Sequence, residues 1–362
     1  MKSSVKTPQE RHQMKDYMKI IAFVGIVLIT LAVLSAFFNG GFWYTNGYVS
    51  NRDARLAGIE VEEPGQIDVL NVGTSLCDVS LTPLELYRDY GITSYNMGRD
   101  MQTRAETYYA IKAALRSQKI KVLLWETDNL CKQVDIRKLD PENQYKPEQR
   151  DYMKPYRQEL TEFCYYHFPI LRYHSFWRNW MSGIKHDEFY KGFQINKEIV
   201  KPNDVKGNWD EKDQGEKKDL TRAEKLRAKI DLKHELTFQR DQMRAFKRIY
   251  NLCQANGIKL VLYSAPSMKY YQSRRRHDAI TKLANQYGID YIDGNFDEDK
   301  IGIDWDKDSF DGGAHLNLYG SRKMTKYLGE YLSKHCNLTD HRGDSAYADW
   351  SEMDKYEEAC GE

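Results

Sequence analysis

The sequence has no excess of charge of either sign, no closely spaced cysteines and no internal repeat. Its 54 basic and 53 acidic residues give a formal net charge of +1, without a long basic tract. Phosphate binding needs a clustered positive field, so nucleic acid is not an expected partner. The six cysteines are scattered, and no two form a C-x-x-C pair. This spacing excludes the common zinc sites and provides no disulfide framework, although one or two bridges stay open.

Charged residues are also missing from one long stretch near the N-terminus, Ile20 to Phe38. As a helix it covers about 28 Å, close to the ~30 Å hydrocarbon core of a bilayer. The basic residues that precede it predict a cytoplasmic N-terminus and an extracytoplasmic remainder of the chain. We therefore predict a single-pass anchor in the cell membrane, with Phe42, Trp43 and Tyr44 at its outer interface.

Two other interpretations of the uncharged stretch stay open. One is a cleaved signal peptide, which would make the mature protein soluble and secreted. Signal peptides have a shorter apolar region and small residues at the cleavage site, and Leu34, Phe37 and Phe38 match that site poorly. The other is a buried helix of a soluble core. The length of the stretch favours the anchor.

Strand and helix patterns alternate after residue 65. Strands are predicted at 67–72, 93–98, 121–126, 259–265 and 289–293. Helices are predicted at 81–90, 104–117, 221–255, 280–287 and 319–332. This β-α-β order predicts an α/β fold with a parallel sheet and helices on both faces. The chain of 362 residues exceeds one typical domain, but α/β folds with insertions reach this size.

The predicted organisation has a cytoplasmic tail at 1–19, the anchor at 20–38, a linker at 39–64, the α/β domain at 65–335 and an extended, exposed tail at 336–362. Within the domain, residues 135–220 lack the alternation and form an insertion or cap. Its aromatic run at 168–177 is either a small core under the cap or a groove wall that stacks on sugar rings. His174 and Trp177 are the candidates for such a wall.

A serine follows the first predicted strand at a glycine turn. The apolar run that ends at Val72 reads as a buried strand, and Gly73 lets the backbone turn before Ser75. A serine at a strand-to-helix turn projects its hydroxyl above the sheet edge, where neighbouring N–H groups can bind an oxyanion. Glycine-x-serine triplets are often only turns, so Ser75 needs a base and an acid.

The far end of the chain supplies both groups. His315 follows the fifth strand, and a parallel sheet brings it to the same carboxyl edge as Ser75. Asp311 lies four residues earlier, so one helical turn would place both side chains on one face. The alternatives are that Ser75 is only a turn residue, that His315 is structural and that Asp311 caps a helix.

These blocks resemble the SGNH/GDSL hydrolase superfamily, and more narrowly its membrane-anchored members that act in lipoteichoic-acid D-alanylation and alginate O-acetylation. The resemblance covers most of residues 65–335. It implies a flavodoxin-like fold and a Ser75–His315–Asp311 triad, with Gly98 as an oxyanion donor or simply a strand-end glycine. It also implies no metal or nucleotide cofactor, and a partner from the membrane-bound O-acyltransferase family. The matching residues are Val72–Ser75, Tyr95–Gly98, Asp311, His315–Asn317 and Gly320.

The sequence departs from the family pattern at two places. Members of the family have the motif Asp-x-x-His, whereas this chain has Asp-x-x-x-His. The extra residue leaves the identity of the orienting acid open, and Asp308 is a weaker rival to Asp311. The family has an oxyanion-hole asparagine after the third strand. Asn129 is the candidate for it here, although its distance along the chain from that strand is uncertain. Asn96 is a further candidate on the substrate side, although a hydrogen-bonding role in a loop is open for it too.

The sequence thus predicts an extracytoplasmic, membrane-anchored acyltransferase or esterase of the SGNH type. Its substrates would be O-acetyl or D-alanyl esters of a cell-envelope polysaccharide or teichoic acid. The choice between transfer and hydrolysis stays open. The alternative is a catalytically weak or inactive envelope scaffold that binds the acyltransferase or the polymer, and the altered acid spacing motivates it.

Overall fold

The computed structural model describes residues 8–131, 153–196, 199–200, 237–267, 274–311, 313–351 and 353–361. The strands are β1 (Val69–Val72), β2 (Ser94–Asn96), β3 (Val122–Glu126), β4 (Glu188–Tyr190), β5 (Phe193–Ile195), β6 (Lys259–Ser264), β7 (Asp290–Asp293), β8 (Ser309–Phe310) and β9 (His315–Leu316).

The α-helices are α1 (Pro8–Phe37), α2 (Gly40–Thr45), α3 (Asn51–Gly58), α4 (Ser75–Asp78), α5 (Pro83–Tyr90), α6 (Arg104–Ala114), α7 (Asp128–Cys131), α8 (Lys154–His167), α9 (Ile170–Tyr173), α10 (Trp177–Ser182), α11 (Arg240–Ala255), α12 (Arg274–Tyr287), α13 (Glu298–Ile301), α14 (Leu318–His335) and α15 (Asp354–Cys360). A 3₁₀ helix spans Ser345–Ser351.

The core is a parallel five-stranded sheet in the order β2-β1-β3-β6-β7. Counted along the chain, this order is 2-1-3-4-5, as in doubly wound sheets of the flavodoxin type. Strands β1 and β3 are buried along their whole length, because helices cover both faces of the sheet. The prediction of an α/β fold with a parallel sheet is confirmed.

The helices bury the faces that the sequence pattern marks. In α11, Phe246, Ile249 and Cys253 are fully buried, and the Phe246 ring stacks on Trp125 of β3 with centroids 6.2 Å apart. The predicted N-terminal part of this helix, residues 221–236, lies outside the described residues. Of the predicted insertion, the structure describes helices α8 to α10 and the antiparallel hairpin β4–β5, whereas 135–152 and 201–220 lie outside.

Helix α1 has the length and composition of a membrane span. The segment His12–Thr45 contains an 18-residue window with a mean hydropathy of 2.8, of which 6% is buried. It is the one helix of this kind in the described part of the chain. The predicted anchor therefore coincides with a long, exposed apolar helix.

The predicted linker at 39–64 is wrong, because most of it is folded into α2 and α3. Ala54 and Ala57 of α3 are fully buried and pack with Trp43, Tyr173 and Phe176 in a second apolar cluster. Small side chains let these aromatic rings approach the helix backbone closely. The segment after α1 is thus part of the domain and does not act as a tether.

The predicted exposed tail at 336–362 is also wrong. Trp350 is fully buried and Tyr356 nearly so, and the Trp350 ring packs on Tyr87 of α5 with centroids 5.8 Å apart. His341 Nε2 lies 2.9 Å from Asp68 Oδ2 just before β1. Tyr347, Trp350, Met353 and Tyr356 recur at a spacing of three residues, which is close to helical. So short a pattern does not indicate which surface covers these side chains, and the tertiary structure reveals it.

Replacing Trp350 with alanine should lower the free energy of unfolding by about 3–5 kcal/mol, because it opens a cavity in the core. Urea denaturation of the full chain in detergent, followed by far-UV circular dichroism, measures the change. Trp180→Ala is the matched control, since Trp180 is 61% exposed and its removal should leave the midpoint unchanged. Equal midpoints for both variants would contradict a folded C-terminal segment.

Candidate active site

The turn that carries Ser75 joins β1 to α4 and requires a glycine. Gly73 has φ +156°, and a Cβ there would lie 2.7 Å from both Cys77 Cβ and Glu126 Cβ. No other residue fits such an approach without displacing β3 or α4. Ser75 is the first residue of α4 and is half-buried. Its hydroxyl therefore stands at the carboxyl edge of the sheet, where a substrate can reach it.

Three side chains from the two ends of the domain meet at this edge. His315 Nε2 lies 2.8 Å from Ser75 Oγ, and His315 Nδ1 lies 2.8 Å from Asp311 Oδ2. Asp311 Oδ1 also accepts a hydrogen bond of 3.1 Å from the His315 backbone N–H. The carboxylate therefore holds the ring with Nδ1–H toward Asp311 and leaves Nε2 to accept the serine proton.

The local structure around His315 is a β-hairpin, whereas the sequence predicted a helical turn. Strands β8 and β9 pair antiparallel with Phe310 opposite His315, and the Phe310 ring stacks on the imidazole with centroids 5.5 Å apart. Asp311 begins the connecting loop at φ +46°, a left-handed conformation that aspartate tolerates better than most residues. The hairpin thus accommodates the Asp-x-x-x-His spacing.

Asp308, the rival acid, has a structural role. It is 2% exposed, and its Oδ2 accepts hydrogen bonds of 2.6 Å from Lys323 Nζ and from the Asp304 N–H. Asn317 adds to this support as the N-cap of α14, since its Oδ1 accepts from the Tyr319 and Gly320 N–H groups. These contacts hold the hairpin against α14. Asp308 is thus engaged by Lys323 and Asp304, and Asp311 is the acid that pairs with the His315 imidazole.

The first turn of α4 offers backbone N–H groups near Ser75 Oγ. The first N–H groups of any helix have no partner within it, and the N-cap residue Thr74 does not cap them with its side chain. Its hydroxyl lies 3.2 Å from Asp128 Oδ2 and 3.4 Å from Glu126 Oε2 instead. The N–H groups at the start of α4 are therefore candidate donors for an oxyanion formed at Ser75.

Gly98 and Asn96 shape this turn from the neighbouring strand end. The Gly98 N–H donates to Asn96 Oδ1 at 3.1 Å, so it is not available as the predicted second oxyanion donor. A Cβ at Gly98 would lie 2.6 Å from the Asp78 backbone nitrogen, which shows that the glycine is needed for packing. Asn96 Nδ2 donates to the carbonyls of Asp78 and Leu81 at 2.8 and 3.0 Å, so Asn96 positions α4.

Asn129 is not brought to the site. Its side chain is buried, with Oδ1 accepting from Trp125 Nε1 at 2.9 Å and Nδ2 donating to Thr107 Oγ1 at 2.8 Å. The residue therefore ties α7 to β3 and α6, and its predicted oxyanion role is wrong. Such a role depends on where the helix after β3 begins, which the sequence does not fix.

His174 and Trp177 lie elsewhere as well. They line a groove beside the end of α1 together with Phe38 and Phe42, and no triad residue contributes to that groove. These two residues therefore form a groove wall apart from Ser75, and their stacking on sugar rings stays a prediction. The sequence showed an aromatic run but not which surface it would join.

A buried network of hydrogen bonds connects α4 to the strands of the sheet. Tyr263 Oη donates to Asn71 Oδ1 at 2.8 Å and lies 2.7 Å from Ser80 Oγ. Asn71 Nδ2 in turn donates to the Cys77 carbonyl at 3.2 Å. Every member is fully buried, so each polar atom depends on its partner inside the protein.

Replacing Tyr263 with phenylalanine should lower the free energy of unfolding by about 1–3 kcal/mol, because the buried Asn71 Oδ1 loses the hydroxyl that donates to it. The turnover of an activated ester should fall as well, since Asn71, which donates to the Cys77 carbonyl of α4, is then held less firmly. Urea titration and steady-state kinetics measure the two effects. Tyr319→Phe, at a tyrosine that is 38% exposed, should change neither.

The ion pair between Arg55 and Asp78, next to the triad, could not be predicted from the sequence. Arg55 of α3 contacts Asp78 of α4, donates from Nε to the Gly192 carbonyl at 2.8 Å, and lies over the Phe189 ring at 5.0 Å. Burial raises the pKa of Asp78, although the Arg55 guanidinium and His315 oppose this. Arg55 and Asp78 are 23 positions apart without a shared motif, so only packing brings them together.

The thiol nearest to Ser75 is not a competing nucleophile. Burial and the nearby Glu126 carboxylate raise the pKa of Cys77 well above its usual value. Since the thiolate is the reactive form, Cys77 stays protonated and inert at neutral pH. The serine hydroxyl is therefore the candidate nucleophile of this turn.

The fold and site together define an α/β protein with a serine–histidine–aspartate arrangement at the carboxyl edge of a parallel sheet. Within the described ranges, no group of three or more His, Cys, Asp or Glu side chains is placed to hold a metal ion. Neither a protein-family model nor a curated protein matches the chain.

Proposed function

We propose that the protein is an extracytoplasmic, membrane-anchored serine acyltransferase or esterase of the SGNH type. The observation that carries this proposal is the linked pair of 2.8 Å contacts from Ser75 Oγ to His315 Nε2 and from His315 Nδ1 to Asp311. Such a chain of contacts activates a serine for attack on an acyl carbonyl. The half-buried hydroxyl is also accessible to a substrate.

In the first half-reaction, Ser75 Oγ attacks the carbonyl carbon of an acyl ester and its proton passes to His315 Nε2. The Asp311 carboxylate stabilises the imidazolium that forms. The first-turn N–H groups of α4 stabilise the oxyanion. Collapse of the tetrahedral intermediate breaks the ester bond, and His315 returns the proton to the departing alcohol, which leaves an acyl-serine.

In the second half-reaction, His315 takes a proton from an incoming hydroxyl group, whose oxygen attacks the carbonyl carbon of the acyl-serine. The bond between that carbon and Ser75 Oγ then breaks, and His315 returns the proton to Ser75 Oγ. When that hydroxyl belongs to water the outcome is hydrolysis, and when it belongs to a polymer the outcome is transfer. We propose a cell-envelope polysaccharide or teichoic acid as the polymer, with O-acetyl or D-alanyl groups as the acyl cargo. A membrane-bound O-acyltransferase is the proposed partner. The resemblance to envelope-modifying SGNH proteins supports these assignments.

The proposal is tested in the cells that make the protein by exchanging Ser75 for alanine. The ester content of the envelope polymer should change as much as it does when the whole gene is deleted. Immunoblotting controls for the amount of protein. An ester content equal to that of the wild type would reject the enzymatic function and leave the scaffold as the surviving alternative.

A further inference from the structure

An aromatic groove of about 520 Å³ lies beside the C-terminal end of α1. We define the aromatic groove by Phe38, Phe42, Trp43, His174, Trp177 and Trp180, which line it. The side chains come from two parts of the chain more than a hundred positions apart. The fold assembles this surface, and the triad takes no part in it.

The aromatic groove is continuous with the apolar surface of α1. Phe38 follows α1 directly, and its ring stacks on Trp43 with centroids 6.4 Å apart. The Ile170 N–H at the start of α9 donates to Ser35 Oγ in the last turns of α1 at 3.3 Å. The groove therefore lies at the level where α1 ends, in fixed contact with it.

The rim of the groove is apolar and exposed to a degree that is unusual for a soluble surface. Trp180, Met181 and Ile184 are 61%, 72% and 60% exposed. Contiguous exposed apolar surface of this kind marks a site that another apolar phase covers. Trp180 lines the groove, and Met181 and Ile184 follow it closely along the chain.

The composition of this region fits the boundary between lipid and water. Tryptophan and histidine rings have an apolar body and a polar edge, and tryptophan is enriched at membrane interfaces for that reason. Two exposed basic side chains, Arg178 and Lys185, flank the aromatic residues, and Arg178 lies over the Trp177 ring at 5.7 Å. Basic groups at this level attract anionic headgroups.

We propose that the aromatic groove docks on the outer leaflet of the membrane, with a phospholipid of that leaflet as its occupant. The proposal rests on the membrane anchor in the proposed function. It gives the domain a second membrane contact, through α10, next to the span itself. Helix α9 contacts α1, and α3 contacts α4, which begins at Ser75. The membrane contact therefore holds the Ser75 edge of the sheet at a defined orientation above the bilayer. That orientation suits acyl groups carried on membrane-linked molecules.

The test uses tryptophan fluorescence of the full chain in vesicles of phosphatidylcholine and phosphatidylglycerol, with and without brominated phosphatidylcholine. Bromine quenches only those tryptophans that contact lipid. The emission lost in the double variant W177F/W180F gives the contribution of these two residues. Since interfacial tryptophans lie at headgroup level, we expect brominated lipid to reduce that contribution by about half or more.

Trp305→Phe is the matched control, because Trp305 packs against the main core and donates to Glu298 Oε2 at 3.3 Å. Its contribution should be equal in both kinds of vesicle. If the emission contributed by Trp177 and Trp180 is also equal in vesicles with and without brominated lipid, the docking proposal is overturned. So would chemical cross-linking that shows the groove covered by a second copy of the chain.

Two further measurements separate the possible failures. Extraction with alkaline carbonate reports whether the chain is integrated in the bilayer, so loss of the anchor is recognised independently of quenching. Thermal unfolding of W177F/W180F in detergent should match that of the wild type, which shows that the variant is folded. Since no readout depends on catalysis, failure of the enzymatic proposal leaves this test intact.

Discussion

Alanine at position 75 should reduce the hydrolysis of an activated ester such as 4-nitrophenyl acetate by about 10⁴-fold or more, the dependence that serine triads show on their nucleophile. The physical reason is that His315 Nε2 then has no hydroxyl proton to accept and no acyl-serine forms. The rate is measured with the full chain in detergent, and a fluorophosphonate probe should label the wild type at Ser75 and fail to label the variant.

Ser333→Ala is the matched control for this experiment. Ser333 is an exposed serine on α14 whose hydroxyl only donates to the Glu330 carbonyl. Its removal should leave the rate and the labelling unchanged. Turnover by the Ser75→Ala variant at the wild-type rate would show that the ester is cleaved elsewhere, and the triad would lose its proposed role.

The two acids of the hairpin region should respond in opposite ways to replacement by asparagine. Asp311→Asn should lower kcat by about 10³-fold to 10⁴-fold, because a neutral amide neither stabilises the imidazolium nor fixes its tautomer. Its stability should change little, since the Asp311 side chain is 40% exposed. Steady-state kinetics and urea titration of the same preparation measure both quantities.

Asp308→Asn should give the reverse pattern. Asp308 is buried and paired with Lys323, so the loss of its charge should cost about 1–3 kcal/mol of stability. The kcat of the folded fraction should stay close to that of the wild type, because Asp308 does not contact the imidazole. A large loss of kcat in Asp308→Asn together with full activity of Asp311→Asn would exchange the roles of the two acids.

Much of the fold could be predicted because it depends on local patterns. The five parallel strands and the helices predicted at 81–90 and 104–117 follow from hydrophobic periodicity and turn residues. The juxtaposition of Ser75 and His315 follows from topology, since the carboxyl ends of parallel strands share one edge. Neither prediction needs side-chain detail.

The predictions that were wrong concern contacts without a local signal. The burial of Trp350 depends on a surface formed by α5, and the oxyanion role assigned to Gly98 is prevented by the side chain of Asn96. Asn129 points into a buried network because α7 begins directly after β3. In each case the position of a neighbouring element decides the role, and that position is not encoded in the adjacent residues.

The sequence by itself determined the parallel sheet, the apolar N-terminal helix and the two blocks that carry Ser75 and His315. The tertiary structure alone decided that Asp311 rather than Asp308 contacts the imidazole, and that Arg55 from the segment after α1 pairs with Asp78. The physical reason is range. Hydrophobic patterns and turns act over a few residues, whereas ion pairs and hydrogen-bond networks depend on where distant helices and strands come to rest.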